Sequence, residues 1–260
     1  MKYSRFIVCG DSYSEGMCDE IVDGQYRGWA DRVADVMAEH HQGFTYANLA
    51  IRGKTVGQVV DEQVPQAITF VTGKETLISF HAGANDAIRP GYDSVATIAK
   101  YQEAVRELAK TGATLLLFTV LEDTGNKGKG SKIWKSRFAE FNAAIREVGE
   151  EVGAIISDAN DLDFFKDNRF LAFDRLHLNE EGHWRVSQGV LEILKYPFDS
   201  AWRKHLPPAK KVPWIKARFM GILWFFIFVI PWIIRRLQGR SSGDNRSAKY
   251  PEPISWPIQK

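Results

Sequence analysis

The sequence predicts an α/β protein with a parallel sheet and helices on both of its faces. Short apolar runs that resemble buried strands alternate along the chain with longer segments of helical spacing. The segment 114–120, TLLLFTV, is mostly apolar and does not alternate with polar residues, which is typical of parallel strands covered on both sides. Right-handed crossovers are expected between successive strands.

The expected elements follow one another without an internal repeat. The strand candidates are residues 6–9, 44–48, 76–81, 114–120 and 154–157. The helix candidates are residues 29–40, 55–71, 95–110, 138–152 and 181–194. Pro65 is expected to break the second of these helices. The segment 127–132, KGKGSK, predicts a mobile basic loop.

The charge divides the chain into an acidic body and a basic C-terminal part. Residues 1–200 contain 22 Lys and Arg against 30 Asp and Glu, whereas residues 201–260 contain 12 against 2. This asymmetry predicts two parts with different partners. We expect a catalytic domain at 1–196, a proline-rich basic linker at 197–218, an apolar helix at 219–237 and a polar tail at 238–260.

The C-terminal apolar run raises the question of a membrane. Residues 219–234 carry no charge, and as a helix they would cover about 24 Å, less than a hydrocarbon core of about 30 Å. Basic residues and tryptophans on both sides favour contact with an anionic membrane surface through residues 214–236. Docking of this run onto the body or onto a protein partner is the alternative. Residues 241–260 are expected to be poorly ordered, and a chain that ends near Pro197 is expected to stay soluble and active.

The first residues and the cysteines predict a location. The start of the chain has no long apolar run with a cleavage site, so no signal peptide is expected. The two cysteines, Cys9 and Cys18, imply no disulfide framework. We therefore expect a cytoplasmic protein that associates with a membrane through its C-terminal apolar segment.

A serine follows the first strand at a sharp break. The stretch 6–16 reads FIVCGDSYSEG, so Ser12 lies where a buried strand ends and a helix begins. In open α/β sheets, ligands bind at the carboxyl edge. Ser12 is therefore a candidate nucleophile, although it does not lie in a GxSxG elbow and could instead cap the next helix.

A nucleophilic serine needs a base and a partner that orients the base. The segment 173–178, FDRLHL, supplies Asp174 and His177 three residues apart. Acyl transfer also needs donors for a developing oxyanion. The backbone N–H groups of Gly53 and Ser12 and the side-chain amide of Asn85 are the candidates. Asn85 as a turn residue and His183 as a rival base are the alternatives.

These residues lie in four blocks of a known pattern. The blocks are Gly10-Asp11-Ser12 with Ser14-Glu15-Gly16, residues 48–55 with Gly53, Gly83-Ala84-Asn85-Asp86, and Asp174-Arg175-Leu176-His177-Leu178. In this content and order the chain resembles the SGNH hydrolases, the GDSL-type esterase/lipase family, over residues 5–190. Tyr13 replaces the leucine of the GDSL motif.

The resemblance implies a fold and a reaction. The fold would be a three-layer α/β/α, flavodoxin-like arrangement with a parallel five-stranded sheet, followed here by the apolar helix and the polar tail. Ser12, Asp174 and His177 would form the triad, and Ser12, Gly53 and Asn85 the oxyanion hole.

The expected activity is hydrolysis of a small-molecule carboxylic ester through an acyl-enzyme. No metal, organic cofactor or nucleic acid is implied. The alternatives are a thioesterase, a carbohydrate acetylesterase, or a non-catalytic membrane-tethered binding protein on the same fold.

Overall fold

The structure is a computed structural model that describes residues 3–123 and 129–258. Its strands are β1 (Arg5–Gly10), β2 (Ile21–Val22), β3 (Gln25–Tyr26), β4 (Thr45–Asn48), β5 (Thr76–His81), β6 (Thr114–Phe118), β7 (Ile155–Ser157) and β8 (Tyr250–Ser255). Its α-helices are α1 (Ser12–Glu15), α2 (Gly28–Glu39), α3 (Val56–Glu62), α4 (Val64–Thr69), α5 (Ala84–Ala87), α6 (Ser94–Lys110), α7 (Lys129–Val152), α8 (Glu180–Leu194), α9 (Trp214–Trp224) and α10 (Ile230–Leu237).

The central sheet has the strand order β7-β6-β5-β1-β4-β8. All neighbours from β7 to β4 are parallel, and these five strands are the ones that the sequence predicts. In chain order the parallel strands have the flavodoxin-like order 2-1-3-4-5, so the direction of winding reverses between β1 and β5. Ligands bind at such a switch point, so a binding site is expected at the carboxyl end of β1.

Helices cover both faces of the sheet, because successive side chains of a strand point to opposite sides. Phe6 and Val8 of β1 pack into one core with α2 and α8, around Trp29 and Val190. Ile7 and Cys9 belong to a second core, which α3, α6 and α7 cover. The three-layer prediction is confirmed.

The predicted helices are present, with one change in a loop. The predicted helix at 55–71 is divided at Gln63 into α3 and α4, and Pro65 lies in the first turn of α4, where its missing N–H costs little. The predicted basic loop at 127–132 is helical from Lys129 onward, as the first turn of α7. Residues 127 and 128 of that loop lie outside the described residues.

The C-terminal tail adds a sixth strand that the sequence did not predict. β8 pairs antiparallel with β4, with Ser255 opposite Thr45 and Ile254 opposite Tyr46. Pro251 and Pro253 are tolerated because β8 is an edge strand. The expectation of poor order for residues 241–260 is therefore wrong over this strand.

The apolar helix is longer than predicted. It begins at Trp214, inside the predicted linker, and continues through α9, a π-helical turn at Phe225–Val229 and α10. The π turn precedes Pro231, whose ring cannot fit beneath an uninterrupted α-helical turn. The 22 residues Trp214–Arg235 are long and apolar enough to cross a membrane. The predicted linker also contains a turn at Ser200–Arg203 whose Trp202 is buried against the body.

Candidate active site

Ser12 lies at the end of β1, where the winding of the sheet reverses. It is the first residue of α1 and is buried, with 8% of its surface exposed. Asp11 precedes it with extended backbone and accepts a hydrogen bond from the backbone N–H of Tyr13 through Oδ1, at 3.1 Å. The cap fixes the turn from strand to helix and thereby the position of the Ser12 hydroxyl.

His177 connects Ser12 to Asp174. Its Nε2 lies 2.9 Å from Ser12 Oγ, and its Nδ1 lies 2.6 Å from Asp174 Oδ2. These contacts bring together residues that are 165 positions apart in the chain. The three predicted residues thus form one continuous hydrogen-bonded chain at the carboxyl edge of the sheet.

The loop geometry and electrostatics keep Asp174 as a carboxylate. Burial by itself would raise the pKa of Asp174, but hydrogen bonds from the His177 ring and from two backbone N–H groups lower it below its ordinary value. Those N–H groups, of Leu176 and His177, donate to Oδ1 at 3.0 and 3.1 Å. Oδ2 therefore remains directed at the imidazole.

Hydrogen bonds hold Asn85 beside the chain neighbours of the other two predicted oxyanion residues, Ser12 and Gly53. Asn85 Nδ2 donates to Asp11 Oδ2 at 3.0 Å, next to Ser12, and to the carbonyl oxygen of Lys54 at 3.1 Å, next to Gly53. Both amide hydrogens of Asn85 are therefore engaged, so an incoming oxyanion would have to share or replace one of these acceptors.

Two glycines hold this cluster in place. Gly53 has a φ of 76°, a left-handed conformation that favours glycine. Gly83, with a φ of 111°, precedes α5 and lies against Phe141, whose ring would be only 2.3 Å from an added Cβ. Only glycine lets the chain turn this closely above Phe141 and place Asn85 beside Asp11.

His183, the rival base, and His81 form no hydrogen bond with Ser12 in the described residues. His183 is buried, its Nε2 lies 3.1 Å from the carbonyl oxygen of Met17, and burial lowers its pKa to about 4. His81 is also buried, with Nδ1 3.4 Å from Asp11 Oδ1 and its ring 4.4 Å from that of Tyr13. Their positions indicate structural roles.

Sequence reasoning missed two side chains beside Asp174. The Sγ of Cys18 lies 3.7 Å from Asp174 Oδ2, and the indole Nε1 of Trp224 donates to the backbone carbonyl of Asp174 at 2.8 Å. Neither has a local sequence signal, because the contacts join segments that are far apart in the chain.

The ligand atoms of Cys18, Asp174 and His177 lie within 4.8 Å of one another, the spacing of a potential metal site. However, Asp174 and His177 are already bonded to each other, and burial together with Asp174 raises the pKa of the Cys18 thiol to about 12. A protonated thiol is a poor metal ligand. The cluster therefore fits a hydrogen-bonded triad better than a metal centre.

The C-terminal segment also reaches the site. The turn at 242–245 packs on the loop that contains Arg52 and Gly53. A Cβ on Gly243 would lie 2.0 Å from the carbonyl oxygen of Arg52, and one on Gly53 would lie 3.1 Å from Ser242 Oγ. The tail thus contacts the predicted oxyanion loop, while Trp224 contacts the loop of Asp174.

The sequence was compared with family models and with known proteins. The model of the GDSL-like Lipase/Acylhydrolase family matches residues 8–185, which include the serine, the oxyanion candidates and the Asp–His pair. The chain belongs to this family. Membership supports hydrolysis of carboxylic esters, and the match ends before the apolar helix. No curated protein matches the chain.

Solved structures of esterases share the fold. The acetylxylan esterase Axe2 from Geobacillus stearothermophilus is 18% identical, with a TM-score of 0.63 over 77% of this chain and 100% of that one. The psychrotrophic esterase EstA from Pseudoalteromonas sp. is 19% identical, with a TM-score of 0.57 over 74% of this chain and 97% of that one. At such identities the likeness shows the fold alone.

Proposed function

We propose that the protein is a serine esterase that cleaves a carboxylic ester through an acyl-enzyme. The observation that carries the proposal is the chain of contacts from Ser12 Oγ through His177 to Asp174, at the switch point of the sheet. Ser12 is the nucleophile, His177 the base, and Asp174 the group that orients the base. The family match supports the ester class of the reaction.

In the acylation step, His177 Nδ1–H donates to Asp174, so that Nε2 is free to accept the proton of Ser12 Oγ. A bond forms between Oγ and the acyl carbon, and the carbonyl oxygen becomes an oxyanion. Donors for it are the backbone N–H groups of Ser12 and Gly53 and the amide of Asn85. Breakdown of this intermediate expels the alcohol, which takes the proton from Nε2.

Deacylation repeats these steps with water. Water gives a proton to His177 Nε2 as its oxygen attacks the acyl carbon, and the acid leaves when Ser12 Oγ recovers that proton. The carboxylate of Asp174 stabilises the imidazolium in both halves of the cycle. Its lowered pKa keeps this charge available at neutral pH.

Replacement of the nucleophile tests the mechanism. Ser12→Ala and His177→Ala are each expected to lower kcat on a water-soluble activated ester by roughly 10³-fold or more, and the double variant should lose little further activity. A fluorophosphonate probe is expected to label Ser12 in the unchanged protein but not in Ser12→Ala. Near-full activity of Ser12→Ala would show that the assignment is wrong, and an inactive unchanged protein would favour a non-catalytic binding role.

We further propose that residues 214–236 contact an anionic membrane surface from the cytoplasmic side. The helix exposes large apolar side chains to solvent, including Phe219 and Phe226 at 62% and 60%. Basic residues lie on both sides of it, and Lys211, Lys216 and Arg218 are exposed. Apolar surface of this extent is strongly disfavoured in water, so a cover is expected.

A further inference from the structure

The side chains of the apolar helix fall on two sides of it. Trp224 and Phe228 face the body, where Trp224 donates to the Asp174 carbonyl and the Phe228 ring lies 5.7 Å from that of Phe173. The outward side is also apolar. Its residues recur at helical spacing and are 41–66% exposed: Ile215, Phe219, Ile222, Phe226 and Ile233.

The exposed apolar surface continues onto the catalytic loop. Phe173 and Leu176, on either side of Asp174, are 43% and 53% exposed. Arg175 lies between them, with its guanidinium 4.6 Å from the Trp224 ring. Beside the helix, the catalytic loop therefore also exposes apolar side chains, and these are next to His177 in the chain.

Both ends of the helix are attached to the same body. Upstream, Arg169 Nη1 donates to the carbonyl of Pro207 at 2.6 Å. Downstream, Gly243 packs on Arg52, and Lys249 Nζ forms a buried ion pair with Asp31 at 2.7 Å. The helix thus connects two segments of the chain that are both anchored to the body.

These attachments exclude a membrane-spanning orientation while the tail is docked. An extended chain covers at most about 3.5 Å per residue, so Leu237 lies within about 14 Å of Ser241, and Trp214 within about 25 Å of Pro207. If the helix spanned the membrane, one of these two connections would have to cross back through a hydrocarbon core of about 30 Å to reach the body, and neither is long enough. Moreover, Trp224 is near the middle of the helix, so a crossing helix would draw Asp174 and Arg175 into the bilayer centre.

We propose that the apolar helix lies along one leaflet of a membrane, with both ends on the same side, and holds the catalytic loop against the lipid. A lipid surface fits because the five outward residues named above are large and apolar, whereas basic residues and Trp214 occur at the start of the helix. The substrate would be an acyl ester embedded in that leaflet. This last point rests on the esterase function proposed above, but the orientation of the helix does not.

Vesicle binding tests the surface. Full-length protein is expected to sediment with phosphatidylcholine vesicles that contain phosphatidylglycerol. The double variant Phe219→Asp/Phe226→Asp should reduce the bound fraction roughly tenfold or more, because two aromatic side chains that the lipid would bury are replaced by charged carboxylates. Val95→Asp, at an apolar position on α6 that is 77% exposed, is the control and should bind normally. Failure of the unchanged protein to bind, or a lipid-independent dimer that covers the helix, would overturn the proposal.

Labelling tests the orientation. Ser200 and Ser247 are exposed residues on either side of the helix. The variants Ser200→Cys and Ser247→Cys are each treated with a membrane-impermeant maleimide. The two variants should react to the same extent as each other in intact cells of the expression host, and also to the same extent as each other in inverted membrane vesicles. The unchanged protein supplies the background from Cys18. Opposite accessibility of the two positions would show a spanning helix and overturn the proposal.

Rates on two ester substrates distinguish the role of the helix at the membrane from catalysis by the triad. The double variant should keep its rate on a water-soluble ester, since neither phenylalanine touches the triad, and should lose roughly tenfold on an ester of the same acyl group held in vesicles. Equal rates of variant and unchanged protein on both esters would overturn the role of the helix in substrate access. Activity on neither ester by the unchanged protein would refute the esterase function, while sedimentation and labelling would still decide the orientation.

Discussion

Replacement of Lys249 by methionine is expected to lower the free energy of unfolding by about 3–5 kcal/mol at pH 8. Lys249 Nζ donates to Asp31 Oδ2 at 2.7 Å and to the carbonyls of Tyr26 and Arg27 at 2.9 Å. The two charged side chains are only 6% and 5% exposed. The variant would leave a buried carboxylate whose remaining side-chain partner is the hydroxyl of Tyr46, at 2.7 Å.

The loss is expected to depend on pH. Burial raises the pKa of Asp31 from 3.8 to about 6, although Lys249 opposes the shift. Because folding raises this pKa, protonation of Asp31 favours the folded state. This contribution to the free energy of unfolding is fully present below about pH 4 and is lost as the pH rises through about 6. Without Lys249 the pKa rises further, so at pH 5 the variant holds a neutral carboxyl group. There the loss should fall to about 1–2 kcal/mol, from the hydrogen bonds alone.

Urea unfolding at pH 5 and pH 8, followed by circular dichroism, measures the difference. The double variant Lys249→Met/Asp31→Asn should recover much of the stability at pH 8, because no unpaired charge remains. Lys100→Met, which removes an exposed pair with Asp61, is the control and should cost at most about 1 kcal/mol at either pH. Equal losses for Lys249→Met at both pH values, without recovery in the double variant, would refute the reasoning.

The remaining predictions concern the oxyanion cluster and the tail. Asn85→Ala is expected to lower kcat by roughly 10²–10³ with a smaller change in KM, and a change confined to KM would make Asn85 a substrate-binding residue instead. Gly243→Ala should lower the urea midpoint, since its Cβ meets the Arg52 carbonyl, whereas Gly221→Ala, with nothing within 4 Å, should not; equal midpoints would show that the tail is not docked. A chain that ends at Pro197 is still predicted to be soluble and active, but it loses β8 and should therefore unfold at a lower urea midpoint; an unchanged midpoint would contradict this.

The local pattern of the chain predicts most of the fold and the candidate triad. The parallel strands β1, β5 and β6 are short, mostly apolar runs that are largely buried, and each long covering helix has its own apolar stripe, so both signals lie within a few consecutive residues. Asp174 and His177 share one turn. Ser12 follows β1 directly, and its partners could be inferred because the carboxyl ends of parallel strands lie at one edge.

The tertiary structure alone decided where the C-terminal segment lies. The sequence of β8, YPEPIS, has two prolines and no strong strand pattern, and its pairing depends on an open edge at β4 and on burial of Lys249 against Asp31. The hydrogen bonds of Trp224 to Asp174 and of Asn85 to Asp11 also join distant segments. An apolar run specifies by itself that it will avoid water. Only the anchored segments on both sides of it determine that it lies along the body, because they limit how far the chain can reach.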